Sequence, residues 1–161
     1  MIASCRSELE TRFSGFSVGQ KILFALTCLE RMLFWAQIND IEVDSCLSDA
    51  VVSGYKFWGW VSKTDDFVDA LEKVYRALGE AEKPLSKAFE ASGAPFDAKS
   101  LGKDWFRLLI TQSVFATLHS LSHKDYDFNV TSSWFIDNYV ETLGEEEKRW
   151  LINSAESLAE A

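Results

Sequence analysis

The longest apolar stripe in the chain covers residues 18–38, and its period is that of a helix. Apolar residues recur there three and four positions apart, and other apolar residues between them widen the stripe almost all the way round. Ser17, just before the stripe, and Gln20, in its first turn, have the spacing of a capping box, in which each side chain accepts a hydrogen bond from the other residue's backbone N–H. This pattern predicts a central, most deeply buried helix.

Further helical stripes follow, separated by capping and turn residues, and no alternating strand pattern of useful length interrupts them. The predicted segments are 45–61, capped by Asp44; a helix from Thr64 that stops at Gly79; a short helix opened by Pro84; a long helix from about 100 to 122; one from about 131 to 144; and a last one opened by 145–147. We therefore predict an all-α fold, an irregular bundle of six to seven helices in a single domain (1–161), with a joint at 93–97.

The stretch GYKFWGW at 54–60 contains four aromatic residues. On a helix, Tyr55 and Trp58 fall on one side, while Phe57 and Trp60 fall close to the opposite side. One helix face cannot bury all four. Either a second element covers Phe57 and Trp60, which is the usual fate of aromatic side chains, or they are exposed anchors for a partner. Both alternatives stay open.

The net charge of −9 is unevenly spread along the chain. Residues 39–72 and 125–161 are strongly acidic, whereas 73–124 carry more basic than acidic residues. An acidic protein repels nucleic acid and anionic lipid, so we expect neither as a partner. No uninterrupted apolar run reaches the ~18 residues of a membrane span, and the first residues lack the apolar core of a secretion signal. We therefore expect a cytoplasmic protein without a membrane partner.

Candidate chemistry is sparse. The sequence has no phosphate-binding glycine loop, no Gly-x-Ser-x-Gly elbow and no calcium loop, and its three cysteines show no Cys-x-x-Cys spacing. We therefore predict buried free thiols, no catalytic residues and no cofactor. His119 and His123 share a helix face, and with Asp125 they could hold a metal ion. The alternative is that they are simply polar residues near a helix C-terminus, where the helix dipole favours a positively charged imidazole.

A charged pair, Glu30-Arg31, lies within the apolar helix 18–38. Charges in such a position need partners, and networks of this kind are more often structural than catalytic. Arg107, on the other long helix, is a further candidate member of the network.

Three segments carry a resemblance to a family. FALTCLERM (24–32), YKFWGWV (55–61) and FVDALEKVYRAL (67–78) resemble helices of an uncharacterised bacterial family of helical, cytoplasmic proteins. The chain departs from that family after Met32, where Leu33-Phe34-Trp35 replaces its usual continuation. The family has no assigned catalytic residues, so the resemblance implies a helical fold and no site. The overall profile, small, acidic, helical and without catalytic motifs, is also similar to that of immunity proteins that protect bacteria from toxins.

These observations favour a protein-binding inhibitor, most concretely a cytosolic immunity protein that occludes the active site of a basic toxin domain. The predicted partner-binding residues are Asp40, Glu42, Asp44, Phe57, Trp60, Asp65, Asp66 and Asp69. The acidic segment 137–147 is a second candidate surface. The alternatives are a self-associating helical regulatory protein, with Phe57 and Trp60 in a homodimer interface, and a metal-binding enzyme that uses His119 and His123.

Overall fold

The computed structural model describes residues 11, 15–58, 64–92, 97–122, 143–144 and 147–160. Within these ranges the chain is helical and contains no strand, which confirms the all-α prediction. The elements are α1 (Val18–Ile38), α2 (Cys46–Trp58), α3 (Thr64–Ser92), a 3-10 helix (Ala98–Leu101), α4 (Lys103–Ser122) and α5 (Glu147–Glu160). The helix predicted at 131–144 falls mostly outside these ranges, and so do residues 93–96 of the predicted joint.

Helix α1 begins and ends where the apolar stripe predicts. Its capping box is complete: the Gln20 amide donates to Ser17 Oγ at 3.2 Å, and the Ser17 amide donates to Gln20 Oε1 at 2.8 Å. The helix contacts α2, α4 and α5, and the side chains of Ile22, Leu26 and Leu29 are fully buried. The burial is not continuous round the helix, since Phe34 is 62% exposed.

Helix α3 corrects the sequence prediction of two helices separated near Gly79. It continues through both Gly79 and Pro84 for 29 residues. Its buried stripe explains why: Val74, Ala77 and Ala81 repeat at helical spacing on both sides of Gly79 and are buried. A glycine costs about 1 kcal/mol in a helix interior and a proline about 3, and packing along α4, the most extensive helix–helix contact, offsets such losses.

Helices α1, α2, α3 and α4 enclose the hydrophobic core, and α5 lies against α1. Gly54 of α2 lies close to two leucines of this core. A Cβ atom built there would lie 2.8 Å from Leu118 Cδ2 on α4 and 3.1 Å from Leu26 Cδ2 on α1. A side chain at this position would therefore force these leucines or their helices to move, which gives the first glycine of GYKFWGW a packing role.

Helix α5 is attached to α1 through an ion pair. The Arg31 guanidinium donates to both carboxylate oxygens of Glu147, at 2.6 and 2.9 Å, and lies 4.2 Å from the ring centroid of Trp150. This confirms that Arg31 has a charged partner within the fold. The partner, Glu147, lies 116 residues further along the chain.

None of the described helices combines the length and the apolar character that a bilayer-spanning helix needs.

Candidate functional site

The predicted acidic residues occupy three separate places. Asp40 and Glu42 lie on the loop between α1 and α2, Asp44 precedes α2, and Asp65, Asp66 and Asp69 occupy the first turns of α3. All six side chains are exposed. Most of these positions have a local reason for an acidic residue, either helix capping or the first turn of a helix.

Asp40 ends α1 in a left-handed conformation. Its φ is +55°, its amide donates to the Gln37 carbonyl at 3.4 Å, and the next amide, that of Ile41, donates to the Ala36 carbonyl at 2.9 Å. This is a Schellman motif, in which glycine is the usual residue at the left-handed position and Ile41 packs back into the core. The Asp40 carbonyl also accepts from Lys103 Nζ at 3.1 Å. Asp40 therefore has a structural role, even though its carboxylate is exposed.

Asp44 caps α2, as its sequence position predicts. Its Oδ1 accepts from the Cys46 amide at 2.9 Å, and this hydrogen bond, together with one from the Cys46 thiol, lowers the pKa of the carboxyl group. Asp44 lines a cavity of about 580 Å³ between the start of α2 and the middle of α3. The charged residues of its lining are of both signs: Asp44, Glu80, Lys73, Arg76 and Lys83. We call it the mixed-charge cavity.

Asp66 and Asp69 line a second, adjoining cavity of about 500 Å³, which we call the acidic cavity. Asp49 of α2 faces them across it, and Ser45, Ser53 and Lys73 complete its polar lining. Asp49, Asp66 and Asp69 form no ion pair among the described residues. Asp65, next in sequence to Asp66, is exposed but lies outside the cavity. The structure thus brings together two of the predicted residues and adds Asp49, which sequence reasoning did not single out.

The two cavities are parts of one groove along α2 and α3. Cys46 and Lys73 line both. Residues 45–53 of α2 face 66–73 of α3 in the acidic cavity, and 44–46 face 73–83 in the mixed-charge cavity, so the two helices run antiparallel. Asp49 could have been found from the sequence only if this pairing had been known.

Cys5 lies outside the described residues, and the other two thiols are poor nucleophiles in this fold. Cys28 is completely buried, and burial raises its pKa, although the nearby Arg31 acts in the opposite direction. Cys46 is half-buried, and burial and the neighbouring Asp44 raise its pKa to about 12. A thiol with such a pKa is protonated at neutral pH, so neither cysteine supplies a thiolate. The prediction of a buried thiol is confirmed for Cys28 and only in part for Cys46.

The aromatic anchors lie largely beyond what the structure describes. Phe57 belongs to the last turn of α2, but its side chain and the whole of Trp60 are outside the described residues. Tyr55 is half-buried against α1, with its hydroxyl 3.4 Å from Thr27 Oγ1. The Tyr55 side of the stretch therefore faces α1, and the role of Phe57 and Trp60 stays a prediction.

Of the predicted metal ligands, only His119 is among the described residues. This residue is exposed in the last turn of α4, and its ring lies 5.4 Å from that of Phe115, centroid to centroid. His123 and Asp125 lie outside the described residues. Within the ranges that the structure describes, no three histidine, cysteine or acidic side chains are grouped as metal ligands would be.

In the second candidate surface, 137–147, only Leu143, Gly144 and Glu147 are described. Glu147 is bound to Arg31, as shown above, and its side chain is only 21% exposed. Its carboxylate therefore serves to attach α5, and the other acidic residues of this segment lie outside the described residues.

No protein-family model, curated protein or solved structure matches this chain. The resemblance to an uncharacterised helical family and the likeness to immunity proteins therefore stay predictions from the sequence. What the structure establishes is an all-α bundle with an acidic cavity on its α2–α3 face.

Proposed function

We propose that this protein is a protein-binding inhibitor, most concretely a cytoplasmic immunity protein that neutralises a bacterial toxin by occluding its active site. The observation that supports this best is the acidic cavity. Three carboxylates, those of Asp49, Asp66 and Asp69, surround it without an ion-pair partner among the described residues. Concave acidic surfaces concentrate the negative field of a protein whose net charge is already −9.

Such a surface complements lysine and arginine side chains that project from the rim of an active-site cleft. Long-range attraction would raise the association rate, and the bound inhibitor would cover the cleft and exclude the natural substrate. If the toxin is a nuclease, the carboxylates would occupy the positions of phosphate groups. Aromatic anchors would supply most of the binding energy, and Phe57 and Trp60 are the proposed anchors.

The direct test is neutralisation during co-expression with a toxin candidate, for which the product of the gene immediately upstream is the first choice. Wild-type protein should restore growth of the host cells, and the variant Asp66→Lys/Asp69→Lys should not. The matched control is Glu82→Lys/Glu90→Lys, which makes the same change of charge at two exposed residues of α3 that line neither cavity and are not among the predicted partner-binding residues. Full protection by Asp66→Lys/Asp69→Lys, at equal protein level, would refute the role of this cavity.

The affinity of the protein for the toxin should also depend on ionic strength, and the double variant Asp66→Lys/Asp69→Lys should reduce this dependence. Each ion pair formed with the toxin is screened by salt, so binding of the wild type should weaken between low and physiological ionic strength. The double variant should bind more weakly and with a flatter salt dependence. An affinity that does not respond to salt in either protein would argue against electrostatic recognition.

Self-association is the second candidate function, and a specific observation favours it. Phe34 and Ile38 of α1 and Val52 of α2 are exposed large apolar side chains, 62%, 63% and 48% accessible. Phe34 and Val52 line a shallow cavity of about 260 Å³ between the two helices. Sedimentation equilibrium distinguishes this candidate. A dimer that Phe34→Ser converts to a monomer would support it, and a monomer at all concentrations would exclude it.

The metal-binding alternative has a test of its own. Protein purified without chelators should carry near-stoichiometric metal if His119 and His123 are ligands, and elemental analysis would detect it. Protein without bound metal would remove that alternative.

A further inference from the structure

A fourth cavity, of about 360 Å³, lies between α1 and α5. We call it the neutral cleft, because none of the side chains that line it carries a charge. Each of the three cavities described above is lined by at least one carboxylate, and none of them shares a lining residue with the neutral cleft. The lining residues are Phe24 and Thr27 of α1 and Trp150, Asn153, Ser154 and Ser157 of α5.

Two aromatic side chains form the apolar part of the neutral cleft. Phe24 is 1% exposed and belongs to the hydrophobic core, and Trp150 is half-buried against that core. The Arg31 guanidinium lies 4.2 Å from the centroid of the Trp150 ring, and its charge is paired with Glu147. Both rings are therefore held in place by the fold. A pre-formed aromatic surface of this kind binds another ring through offset or edge-to-face contacts.

The rim of the neutral cleft is polar, and part of its hydrogen-bonding capacity is unused among the described residues. Thr27 Oγ1 donates to the Leu23 carbonyl at 2.7 Å, and Ser157 Oγ donates to the Asn153 carbonyl at 3.1 Å. The side chains of Asn153 and Ser154, in contrast, form no hydrogen bond to a described residue. The side-chain amide of an asparagine has an acceptor oxygen and two N–H donors. Asn153 can therefore accept a hydrogen bond from an N–H or O–H group of a ligand.

The volume and the lining together define the class of ligand. Ligand cavities commonly measure about 300 to 1,000 Å³, so a cleft of about 360 Å³ suits a molecule of one or two rings. A charged group placed in the cleft would lose hydration without gaining an ion-pair partner. An uncharged ring would lose little hydration and would gain contact with two aromatic side chains.

We propose that the neutral cleft binds a small uncharged aromatic molecule that carries an N–H or O–H group. The ring of the ligand would lie against Phe24 and Trp150, and its N–H or O–H group would donate to Asn153 Oδ1. The cleft is formed by α1 and α5, whereas the acidic cavity is formed by α2 and α3. The site therefore goes beyond the proposed inhibitor function and does not rest on it.

The test titrates the labelled full-length protein with indole and follows ¹H–¹⁵N correlation spectra. Indole should bind with a dissociation constant in the millimolar range or below, and should shift the side-chain amide signal of Asn153 and the indole N–H signal of Trp150. Benzofuran has the shape of indole with an oxygen in place of the N–H group, so it should bind roughly threefold to tenfold more weakly, the usual effect of one hydrogen bond. Indole-3-acetate should also bind more weakly than indole, because its carboxylate finds no cation among the residues that line the cleft.

Variants of the protein show whether the hydrogen bond comes from Asn153. Asn153→Ala should weaken indole binding roughly threefold to tenfold and leave benzofuran binding unchanged, so that the preference for indole disappears. Gln37→Ala is the matched control, because Gln37 is also an exposed amide but lies outside the cleft, and it should retain the preference. Trp150→Phe, which keeps an aromatic ring, should bind indole more tightly than Trp150→Leu, and circular dichroism checks that each variant is folded.

Three results would overturn the inference. The first is that millimolar indole shifts neither the Asn153 nor the Trp150 signal of the wild type. The second is equal binding of indole and indole-3-acetate. The third is the same preference for indole over benzofuran in Asn153→Ala as in the wild type.

Discussion

Replacing Gly54 by alanine tests how closely α2 packs against its neighbours. The added Cβ would lie 2.8 Å from Leu118 Cδ2, closer than real Cβ contacts, and 3.1 Å from Leu26 Cδ2. Both leucines are fully buried, so neither side chain can turn away into solvent. The neighbouring helices must therefore shift, or one of the leucines must adopt a strained rotamer.

Two opposing contributions determine the change in the free energy of unfolding. Alanine is favoured over glycine in a helix interior by about 1 kcal/mol, and overpacking of a buried site costs about 1–3 kcal/mol. We expect Gly54→Ala to destabilise the protein by up to about 2 kcal/mol. Gly79→Ala is the matched control, because Gly79 is also inside a helix but has open space around its Cβ position. It should stabilise the protein by about 0.5–1 kcal/mol.

Urea denaturation followed by circular dichroism measures both variants. The helix-propensity contribution cancels in their comparison, so the two free energies of unfolding should differ by about 1–3 kcal/mol, the cost of the clash. Shortening the contacting side chain in Gly54→Ala/Leu118→Val should recover part of that cost, which appears as a favourable coupling energy in the double-mutant cycle. If Gly54→Ala stabilised the protein as much as Gly79→Ala, the close packing of α1, α2 and α4 would be refuted.

Three other predictions concern capping, the ion pair and pH. Asp40→Gly should raise the free energy of unfolding by about 0.5–1 kcal/mol in urea denaturation, because glycine adopts φ +55° without strain. A lower free energy of unfolding would contradict this and show that the Asp40 carboxylate itself stabilises the fold. Glu147→Gln should lower the free energy of unfolding by about 1–2 kcal/mol, because it breaks the half-buried ion pair with Arg31. The control Glu72→Gln, which breaks an exposed pair with Arg76, should change it by less than ~0.5 kcal/mol. Equal effects would refute the anchoring role of Glu147. The thiol of Cys46 has a pKa of about 12 in the fold and about 9.0 when unfolded, so its contribution to stability is constant below pH 9 and is lost as pH rises from 9 towards 12. Cys46→Ser should flatten that alkaline decline in thermal unfolding, and an unchanged decline would contradict the raised pKa.

Much of the fold could be predicted from the sequence, because helix caps and apolar periodicity depend on residues that are close together in the chain. The capping box at Ser17 and Gln20 and the apolar stripe after it define α1 without reference to the rest of the chain. The same kind of reasoning failed in α3, where Gly79 and Pro84 disfavour a helix locally but packing against α4 sustains it. Tertiary contacts override propensity at such positions.

The candidate site was less accessible to sequence reasoning. Asp66 and Asp69 were predicted from the density of acidic residues, but Asp49 joins them only because α2 and α3 run antiparallel. The partner of Arg31 could not be read from the sequence either, since Glu147 lies 116 residues away. Charge clusters on one segment can be seen in a sequence, whereas a site shared by two segments depends on their pairing.

The most direct test of the proposed function is quantitative capture of the toxin. Tagged wild type, Asp66→Lys/Asp69→Lys and the control Glu82→Lys/Glu90→Lys are each exposed to a lysate of the source strain, and captured proteins are identified by mass spectrometry and assayed for toxicity. We expect wild type and the control to hold one basic, toxin-like domain at a one-to-one ratio and in an inactive state, and Asp66→Lys/Asp69→Lys to lose it. Recovery of the protein alone, or a captured toxin that remains active, would contradict the account.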